Sequence, residues 1–240
     1  MRTGSTPVTR TKGRTMTQWF NWDNKRMELP GLWVLHDFLA PEIFNAIRQE
    51  IRDTPAEWHN RYQSREISEH GNYPLCWELA GRLIPYLHGL YGGNYKCSTV
   101  RAYRDYPGSN FFPHLDGAEF AVNFQLYMPA TDLDHLGTQW CANPEHNQMA
   151  ESNMDDLYAG KIPLNDKEFY TVPFRANWGY INLNAAPRRI HKTSATPENY
   201  IRESVHMNFS HKKWPVEFHM DAGLELNWYR QLGVAMPVEE

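Results

Sequence analysis

The stretch FFPHLDGAEF, residues 111–120, places a histidine and an aspartate two positions apart. In an extended segment, residues i and i+2 point to the same face, so His114 and Asp116 should project together. An imidazole and a carboxylate are both good ligands for a transition metal. An isolated HxD occurs by chance in many chains, so further ligands must be present before it indicates a metal site.

A third ligand has to come from a distant segment that returns alongside the first. His191, in PRRIHKT, follows the strand-like run WGYINLN and a short turn, which makes it the best candidate. Two histidines and one carboxylate on one face are typical of non-haem Fe(II) oxygenases, whereas structural zinc prefers a closed tetrahedral set. We therefore predict a metal site formed by His114, Asp116 and His191.

A guanidinium and a hydroxyl follow the third ligand. Arg202 lies eleven residues after His191 in the strand-like run RESVHMNF, and Ser204 shares its face by alternation. A guanidinium fork beside a hydroxyl suits a carboxylate. Because a buried arginine without an anion is costly, the pattern predicts either a carboxylate-bearing guest or an acidic partner in the core.

The hydrophobic patterning places helices before strands. GLWVLHDFL (31–39) reads as a strand, PEIFNAIRQEIRD as a helix that begins at Pro41, and a second helix should run from about Leu75 to Tyr91. After residue 95 the chain becomes a series of short strand-like runs with turn residues between them. This order of helices and strands predicts a mainly β protein with N-terminal helices. Its expected architecture is a jelly roll with a pocket between two sheets. The runs are KCSTVRAYRDY, NFFPHLD, FAVNFQLYMP, FYTVPF, WGYINLN and ESVHMNFS.

Composition bounds the class of protein. The chain has 240 residues and a net charge of −4, so its composition carries no overall basic signature of a nucleic-acid-binding protein. No apolar run approaches the roughly 18–20 residues of a membrane span, and three cysteines without a CxxC favour a reducing compartment. We therefore expect a cytoplasmic protein that binds neither nucleic acid nor membrane. Composition gives no oligomeric state.

Two segments differ in composition from the rest. Residues 1–18 are basic, rich in serine and threonine, and free of acid, which predicts a disordered tail. An organelle transit peptide and an upstream start before Met16 are the alternatives. Residues 19–240 are predicted to form a single domain. Within it, the polar and weakly patterned segment near 131–170 is predicted to be a lid over the pocket.

In its motifs the chain resembles the Fe(II)- and 2-oxoglutarate-dependent oxygenases. The resemblance covers roughly residues 30–212 and depends on the order HLD, a distant histidine, and RxS about ten residues later. Supporting stretches are YPGSNFFPHLDG, LYMPATDLDHLGTQW, NWGYINLN, HKTSATPENYIRES and VLHDFLAPEIFNAIRQEI. The resemblance implies a double-stranded β-helix, a jelly-roll variant, in which His114, Asp116 and His191 bind Fe(II).

The resemblance also implies binding roles for other residues. Arg202 would hold the distal carboxylate of 2-oxoglutarate, with Ser204 as its helper. Tyr127 and Tyr106 resemble tyrosines that reach the co-substrate in the prolyl-hydroxylase branch. Tyr103 is a rival to Tyr106, and each of these tyrosines is equally compatible with a core position. Further candidates for lining the pocket are Asn123, Gln125, Trp140, Arg189 and His206, with Arg188 near its mouth.

The reaction implied by the resemblance consumes O2 and 2-oxoglutarate and oxidises an unactivated C–H bond. A carboxylate at Asp116 favours hydroxylation over halogenation, because halogenating members have a small residue there. Asn208 stands where the nucleic-acid demethylase branch carries a second arginine. The expected substrate is a small metabolite, an amino acid or a peptidyl residue. The alternative is a jelly-roll metal-binding protein or metalloenzyme that does not use 2-oxoglutarate.

Overall fold

The computed structural model describes residues 18–54, 59–60, 64–68 and 73–211, with only the backbone described at 59–60. Four α-helices and eleven strands lie in these residues. The helices are α1 Pro41–Asp53, α2 Pro74–Tyr91, α3 Pro144–Ser152 and α4 Met154–Tyr158. The strands are β1 Lys25–Leu29, β2 Leu32–Leu35, β3 His59–Asn60, β4 Arg65–Ser68, β5 Tyr95–Asp105, β6 Val122–Tyr127, β7 Thr138–Cys141, β8 Phe169–Thr171, β9 Gly179–Leu183, β10 His191–Thr193 and β11 Arg202–His211.

The strands form two antiparallel sheets. The larger sheet has eight strands in the order β1-β2-β9-β6-β11-β5-β4-β3, and the smaller has the order β10-β7-β8. This helix-then-strand order and the two sheets confirm the predicted mainly β jelly roll. Helices α1 and α2 begin at Pro41 and Pro74, where the missing N–H of proline costs no helical hydrogen bond.

Helices α1 and α2 cover one face of the larger sheet, where its strands present alternate apolar side chains. Val205 and Met207 of β11 pack with α1 and α2 in the main apolar core, as do Phe124 and Leu126 of β6. The residues between them therefore face the smaller sheet. On β11, β6 and β5 that inner face is largely polar, with Arg202, Ser204, His206, Asn208, Asn123, Gln125, Arg101, Tyr103 and Asp105.

Two smaller apolar clusters lie on the side of the smaller sheet. One fills part of the space between the sheets with Leu32, Tyr127, Trp140, Phe174 and Tyr180 among its members. The other lies beneath α3 and α4 and contains Leu115, Cys141, Ala150, Leu157, Ile162 and Ile190. The space between the sheets is therefore apolar toward one end and lined by polar side chains at the other.

The segment near 131–170 differs from the expected loop. It contains α3, α4, β7 and β8, and β7 pairs with β10 through Trp140 and His191. The run NFFPHLD also differs, because it forms no named strand and makes only an isolated bridge from His114 to His191. The predicted tail at residues 1–18 lies almost entirely outside the described residues. Among the described residues, no helix is long and apolar enough to cross a membrane.

Candidate metal centre

His114, Asp116 and His191 converge at one end of the space between the sheets. One ligand atom from each lies within 4.8 Å of the other two, and Nε2 of His191 is 3.5 Å from Oδ1 of Asp116. The two imidazole rings lie 4.0 Å apart, because His114 and His191 form an antiparallel bridge. Among the described residues this is the only such group of three histidine, cysteine or acidic side chains.

Backbone carbonyl groups orient both imidazoles. Nδ1 of His114 lies 2.9 Å from the carbonyl oxygen of Phe112, and Nδ1 of His191 lies 3.3 Å from that of Arg189. A hydrogen bond donated by each Nδ1 leaves Nε2 with its lone pair for a metal, which is the usual arrangement for a ligating histidine. Trp140 stacks on the His191 ring at 4.4 Å and holds its plane.

Burial keeps both histidines neutral. It lowers the pKa of His114 to about 3, with the neighbouring His191 adding to the effect, and it lowers the pKa of His191 to about 4. Because metal binding requires the neutral imidazole, the site is ready for a cation at neutral pH.

Asp116 is fixed through its second carboxylate oxygen. Asn123 donates an N–H to Oδ2 of Asp116, while Oδ1 faces His191. One carboxylate oxygen and two imidazole nitrogens suit a divalent transition metal of the oxygenase type, with positions left open on the remaining side. The predicted pocket residue Asn123 is thus a partner of a ligand, and it is fully buried.

A cavity of about 310 Å³ adjoins the three ligands. Its walls include all three ligand side chains and residues from β4, β5, β6, β9 and β11. Beside the ligands, the walls contain Arg65, Tyr103, Gln125, Tyr180, Arg202 and His206. The predicted candidates Gln125, Arg202 and His206 therefore line the cavity.

Two guanidinium groups share one carboxylate along the cavity wall. Asp105 lies directly across from Arg202 on β11 and from Arg65 on β4. Arg65 donates to both carboxylate oxygens of Asp105, and Arg202 donates to Oδ2 from Nε at 2.8 Å and from Nη2. Two positive charges and one negative charge leave this row with a net charge of +1.

Arg202 thus has the acidic core partner that was one of the two predicted options. Its Nη1 also donates to the carbonyl oxygen of Leu136 at 2.8 Å. Three of its five N–H groups are used in this way, which leaves one on each terminal nitrogen. The arrangement still fits a guest carboxylate, because the donors that remain belong to a row with excess positive charge.

Ser204 belongs to a hydrogen-bonded series beside Arg202. Its Oγ accepts from Nε2 of Gln125 at 2.8 Å, and Oε1 of Gln125 accepts from Thr138 at 3.1 Å. Because the Ser204 oxygen is the acceptor, its own proton is available for donation. Ser204 is buried, and Gln125 stands between it and the smaller sheet.

Two predicted binding residues lie in the apolar core between the sheets. Tyr127 is fully buried, and its hydroxyl accepts the backbone N–H of Thr138 at 2.9 Å. Burial raises the pKa of Tyr127 to about 12, so the hydroxyl stays protonated. Trp140 is equally buried against Tyr180 and His191. Neither is among the cavity-lining residues, because the apolar cluster of the sandwich encloses both.

Tyr106 and Arg189 also lie away from the cavity. The Tyr106 hydroxyl donates to Glu66 at 2.8 Å, while its rival Tyr103 lines the cavity. Arg189 donates to the carbonyl groups of Cys141 and Pro30, so it fastens the loop before β10 instead. Neither side chain is among the residues that line the cavity.

Arg65 and Tyr180 are cavity-wall residues that were missed in the sequence, and so was Asp105, which pairs with Arg65 and Arg202 of that wall. Arg65 and Asp105 each lie at the end of a strand, but only the strand register brings Asp105 opposite Arg202 and Arg65 opposite Asp105. Tyr180 lies in the predicted strand WGYINLN, two residues before Asn182 on the same face. Alternation along that run was the one available signal, and it was compatible with either face.

Comparison with known proteins identifies the architecture. No family model matches the chain, and no curated protein matches it in sequence. Solved structures do match it. HygX from Streptomyces hygroscopicus, with nickel, 2-oxoglutarate and hygromycin B bound, superposes with a TM-score of 0.56 at 11% identity, covering 80% of this chain and 85% of HygX.

Two further structures extend the comparison. A 2OG-Fe(II) oxygenase family protein from Burkholderia pseudomallei gives a TM-score of 0.52 at 12% identity, covering 75% of this chain and 84% of its own. The chain has the fold of the Fe(II)/2-oxoglutarate-dependent oxygenases. A prolyl hydroxylase from Trichoplax adhaerens, in complex with a peptide of hypoxia inducible factor, gives 0.55 at 12% identity, covering 77% and 85%. At these identities the likeness establishes the oxygenase fold alone. The reaction has to be inferred from the residues of the site.

Proposed function

We propose that this protein is an Fe(II)- and 2-oxoglutarate-dependent oxygenase. It would oxidise an unactivated C–H bond of a small organic molecule, an amino acid or a peptidyl residue, with hydroxylation as the outcome. The observation that carries the proposal is a His-Asp-His group beside a cavity whose wall holds a net positive charge. A His-Asp-His group or a positively charged cavity wall alone occurs in many proteins. Together on this fold they suit a metal and a dicarboxylate.

Each side chain has a distinct part in this proposal. His114, Asp116 and His191 would hold Fe(II), which supplies the oxidising chemistry when 2-oxoglutarate and O2 are bound. Arg202 would hold the distal carboxylate of 2-oxoglutarate with its remaining N–H groups, and Ser204 would donate its proton. Asp116 fills a ligand position that halide would need, which favours hydroxylation over halogenation.

The substrate class is supported by the shape of the site and by the related folds. HygX binds hygromycin B, and the prolyl hydroxylase binds a peptide, so this fold takes both kinds of guest. Beyond Arg202 the cavity wall continues to His206 and Asn208, both of them polar. Among the described residues, Nε2 of His206 and Oδ1 of Asn208 are buried without a hydrogen-bond partner. A guest with hydroxyl or amide groups would satisfy them.

A second candidate function is metal chemistry without 2-oxoglutarate. Asp105 favours it, because the carboxylate already neutralises part of the Arg202 charge. On this reading the row of Arg65, Asp105 and Arg202 would be structural, and the cavity would admit a different guest. The two candidates differ in whether 2-oxoglutarate binds next to the metal.

The test is to load the protein with Fe(II) anaerobically and titrate 2-oxoglutarate. We expect a visible charge-transfer band, followed by succinate release on exposure to air. His114→Ala should abolish the band, while His135→Ala, at an exposed position outside the site, should leave it unchanged. No band and no succinate in the unaltered protein would contradict the proposal.

Arg202 variants separate the two candidates. Removing a charge-assisted hydrogen bond costs about 1.5–3 kcal/mol, so Arg202→Ala should weaken 2-oxoglutarate binding about 10- to 100-fold while Fe(II) affinity holds. Arg175→Ala, which removes an exposed guanidinium paired with Asp134, is the matched control. Unchanged 2-oxoglutarate affinity in Arg202→Ala would favour the second candidate.

A further inference from the structure

Helix α3, Pro144–Ser152, supplies no metal ligand and yet contacts the chain on both sides of the metal centre. It lies in the segment that was predicted to be a lid. Three separate kinds of contact connect it to residues adjacent to the ligands.

The first contact is apolar. Leu115, between His114 and Asp116, belongs to the apolar cluster beneath α3 and α4. Ile190, which precedes His191, enters the same cluster and is fully buried. Ala150 of α3 and Leu157 of α4 complete the contact. One small apolar core therefore holds a neighbour of every ligand.

The second contact is a buried amide. Asn147 of α3 is 3% exposed. Its Oδ1 accepts the backbone N–H of Ile190 at 3.0 Å, and its Nδ2 donates to the carbonyl oxygen of Cys141 at 3.2 Å. Cys141 in turn donates its backbone N–H to the carbonyl oxygen of Ile190 at 2.9 Å. Asn147 thus fixes the peptide between Arg189 and Ile190, one residue before His191.

The third contact is an ion pair that continues to the backbone of a ligand. Oε2 of Glu151 accepts from the backbone N–H and from Nε of Arg188, at 3.0 and 2.8 Å. Nη1 of Arg188 donates to the carbonyl oxygen of Asp116 at 2.8 Å. The side chains of Arg188 and Glu151 are largely buried, at 12% and 24% exposure, so solvent screens this ion pair little.

Asp116 needs such support because no strand ladder holds it. The residues around it form no named strand, and the neighbouring bridge involves His114 only. Groups that hold the ligands of a metal commonly change its affinity 10- to 100-fold when they are removed. The contacts of α3 act one step further out, since Glu151 reaches Asp116 through Arg188 and Asn147 reaches His191 through Ile190.

We propose that α3 positions the metal ligands, with Glu151 acting on Asp116 through Arg188 and Asn147 acting on His191 through Ile190. Glu151 and Asn147 are positioning residues, and the segment near 131–170 supports the metal centre from beneath. The inference depends on the proposed function only in taking His114, Asp116 and His191 as a metal site.

The test measures binding of Co(II) alone, without 2-oxoglutarate or substrate, by titration calorimetry and by the visible spectrum of the bound ion. Glu151→Ala should weaken Co(II) binding about tenfold or more and change the spectrum. Glu151→Gln keeps an acceptor oxygen and should lie between this variant and the unaltered protein. Glu145→Ala removes the same charge from an exposed position of the same helix and should have no effect.

A double-mutant cycle tests the route of the effect. If Glu151 acts through Arg188, then Arg188→Ala combined with Glu151→Ala should weaken Co(II) binding no more than Arg188→Ala does alone. Additive effects would contradict that route. The melting temperature of the metal-free protein supplies the structural control, because a positioning role lowers metal affinity more than it lowers metal-free stability.

The possible failures are distinguishable. If the unaltered protein binds Co(II) and Glu151→Ala binds it as tightly as Glu145→Ala does, the positioning role is wrong and the proposed oxygenase function stands. If the unaltered protein shows no Co(II) binding that His114→Ala removes, the metal site itself fails, and both proposals fail with it.

Discussion

Asp105 is the residue on which the cationic wall of the cavity depends. Its carboxylate is nearly inaccessible, and it lies between the guanidinium groups of Arg65 and Arg202. Burial opposes ionisation of this carboxyl group, but Arg202 and Arg65 outweigh burial and lower its pKa to about 2. One buried anion between two buried cations is a stable arrangement only while all three are present.

Removing the charge of Asp105 should therefore destabilise the fold. Asp105→Asn leaves two buried guanidinium groups without an anion, and breaking a buried pair in this way costs about 3–5 kcal/mol. This loss of stability is measured as the change in the free energy of unfolding, from urea denaturation at pH 7. Asp53→Asn, at an exposed position in the last turn of α1, is the control and should change stability by less than about 0.5 kcal/mol. An equal effect in both variants would contradict the role given to Asp105.

The same group predicts a dependence on pH. An aspartate in an unfolded chain titrates near about 3.9, above the folded-state pKa of about 2. Ionised Asp105 therefore stabilises the fold above about pH 4, and this stabilisation is lost as pH falls from about 4 to about 2. We expect the stability difference between the unaltered protein and Asp105→Asn to shrink by about 2–3 kcal/mol across that window, as followed by urea denaturation. A constant difference would mean that Asp105 is not the group responsible.

At the residue scale, the sequence could predict which residues lie together when they are close in the chain, but not when they are far apart in it. His114 and Asp116 are two positions apart, so local alternation was sufficient to place them on one side. Arg202 pairs with Asp105, 97 positions away, and Asp105 pairs with Arg65, a further 40 positions away, so only strand register brings the three together. The requirement for an anion was foreseeable from the cost of burying arginine, while the identity of that anion was not.

At the scale of elements, strands β5, β6, β9 and β11 have a polar face and an apolar face. The apolar face packs on α1 and α2, and the polar face forms the cavity wall. Gly179 permits β9 to approach β6 closely, because a Cβ there would lie 1.9 Å from the backbone oxygen of Gln125. Gln125 belongs to the series that reaches Ser204, so this close approach also places part of the site.

Two glycine substitutions should have opposite effects on stability. Gly179→Ala forces β6 and β9 apart and should cost about 1–3 kcal/mol or more, because a backbone atom has to move. Gly81→Ala lies in α2, where a Cβ meets nothing within 4 Å, and should stabilise by about 0.5–1 kcal/mol through its helix propensity. Thermal or urea unfolding compares the two. A stabilising Gly179→Ala would contradict the close packing of these strands.

The type of an element was predictable where its hydrophobic pattern was long. It was uncertain where pairing with a neighbouring strand decides the structure. Helices α1 and α2 have extended apolar stripes, and both were predicted within a residue of their bounds. Strands β7 and β10 are four and three residues long, and they are strands because they pair with each other. Such short runs carry too little periodicity to distinguish a strand from a loop. Tyr127 and Trp140 lie in the apolar cluster between the sheets, a position that the sequence could not give, because alternation along a strand gives a face but not the layer behind it.

At the scale of the whole molecule, the metal centre joins the loop after β5 to the smaller sheet. His114 and Asp116 lie in that loop, and His191 begins β10. Backbone hydrogen bonds already join the loop and β10 at His114 and His191 and from the N–H of Thr193 to the carbonyl oxygen of Phe111, and an ion held by all three ligands would add a further connection through their side chains. A bound metal should therefore stabilise the folded state as a whole, because the unfolded chain offers no such site.

Metal binding should raise the melting temperature in proportion to occupancy. At a free metal concentration of about 100 times the dissociation constant, linkage gives about 2.7 kcal/mol, or roughly 5–10 °C for a chain of this size. Differential scanning fluorimetry with Mn(II) measures the shift, and EDTA should reverse it. His191→Ala should abolish the shift while His88→Ala, in the last turn of α2, should retain it. A shift of equal size in His191→Ala would place the ion elsewhere, because only a metal that bridges the loop and β10 requires that imidazole.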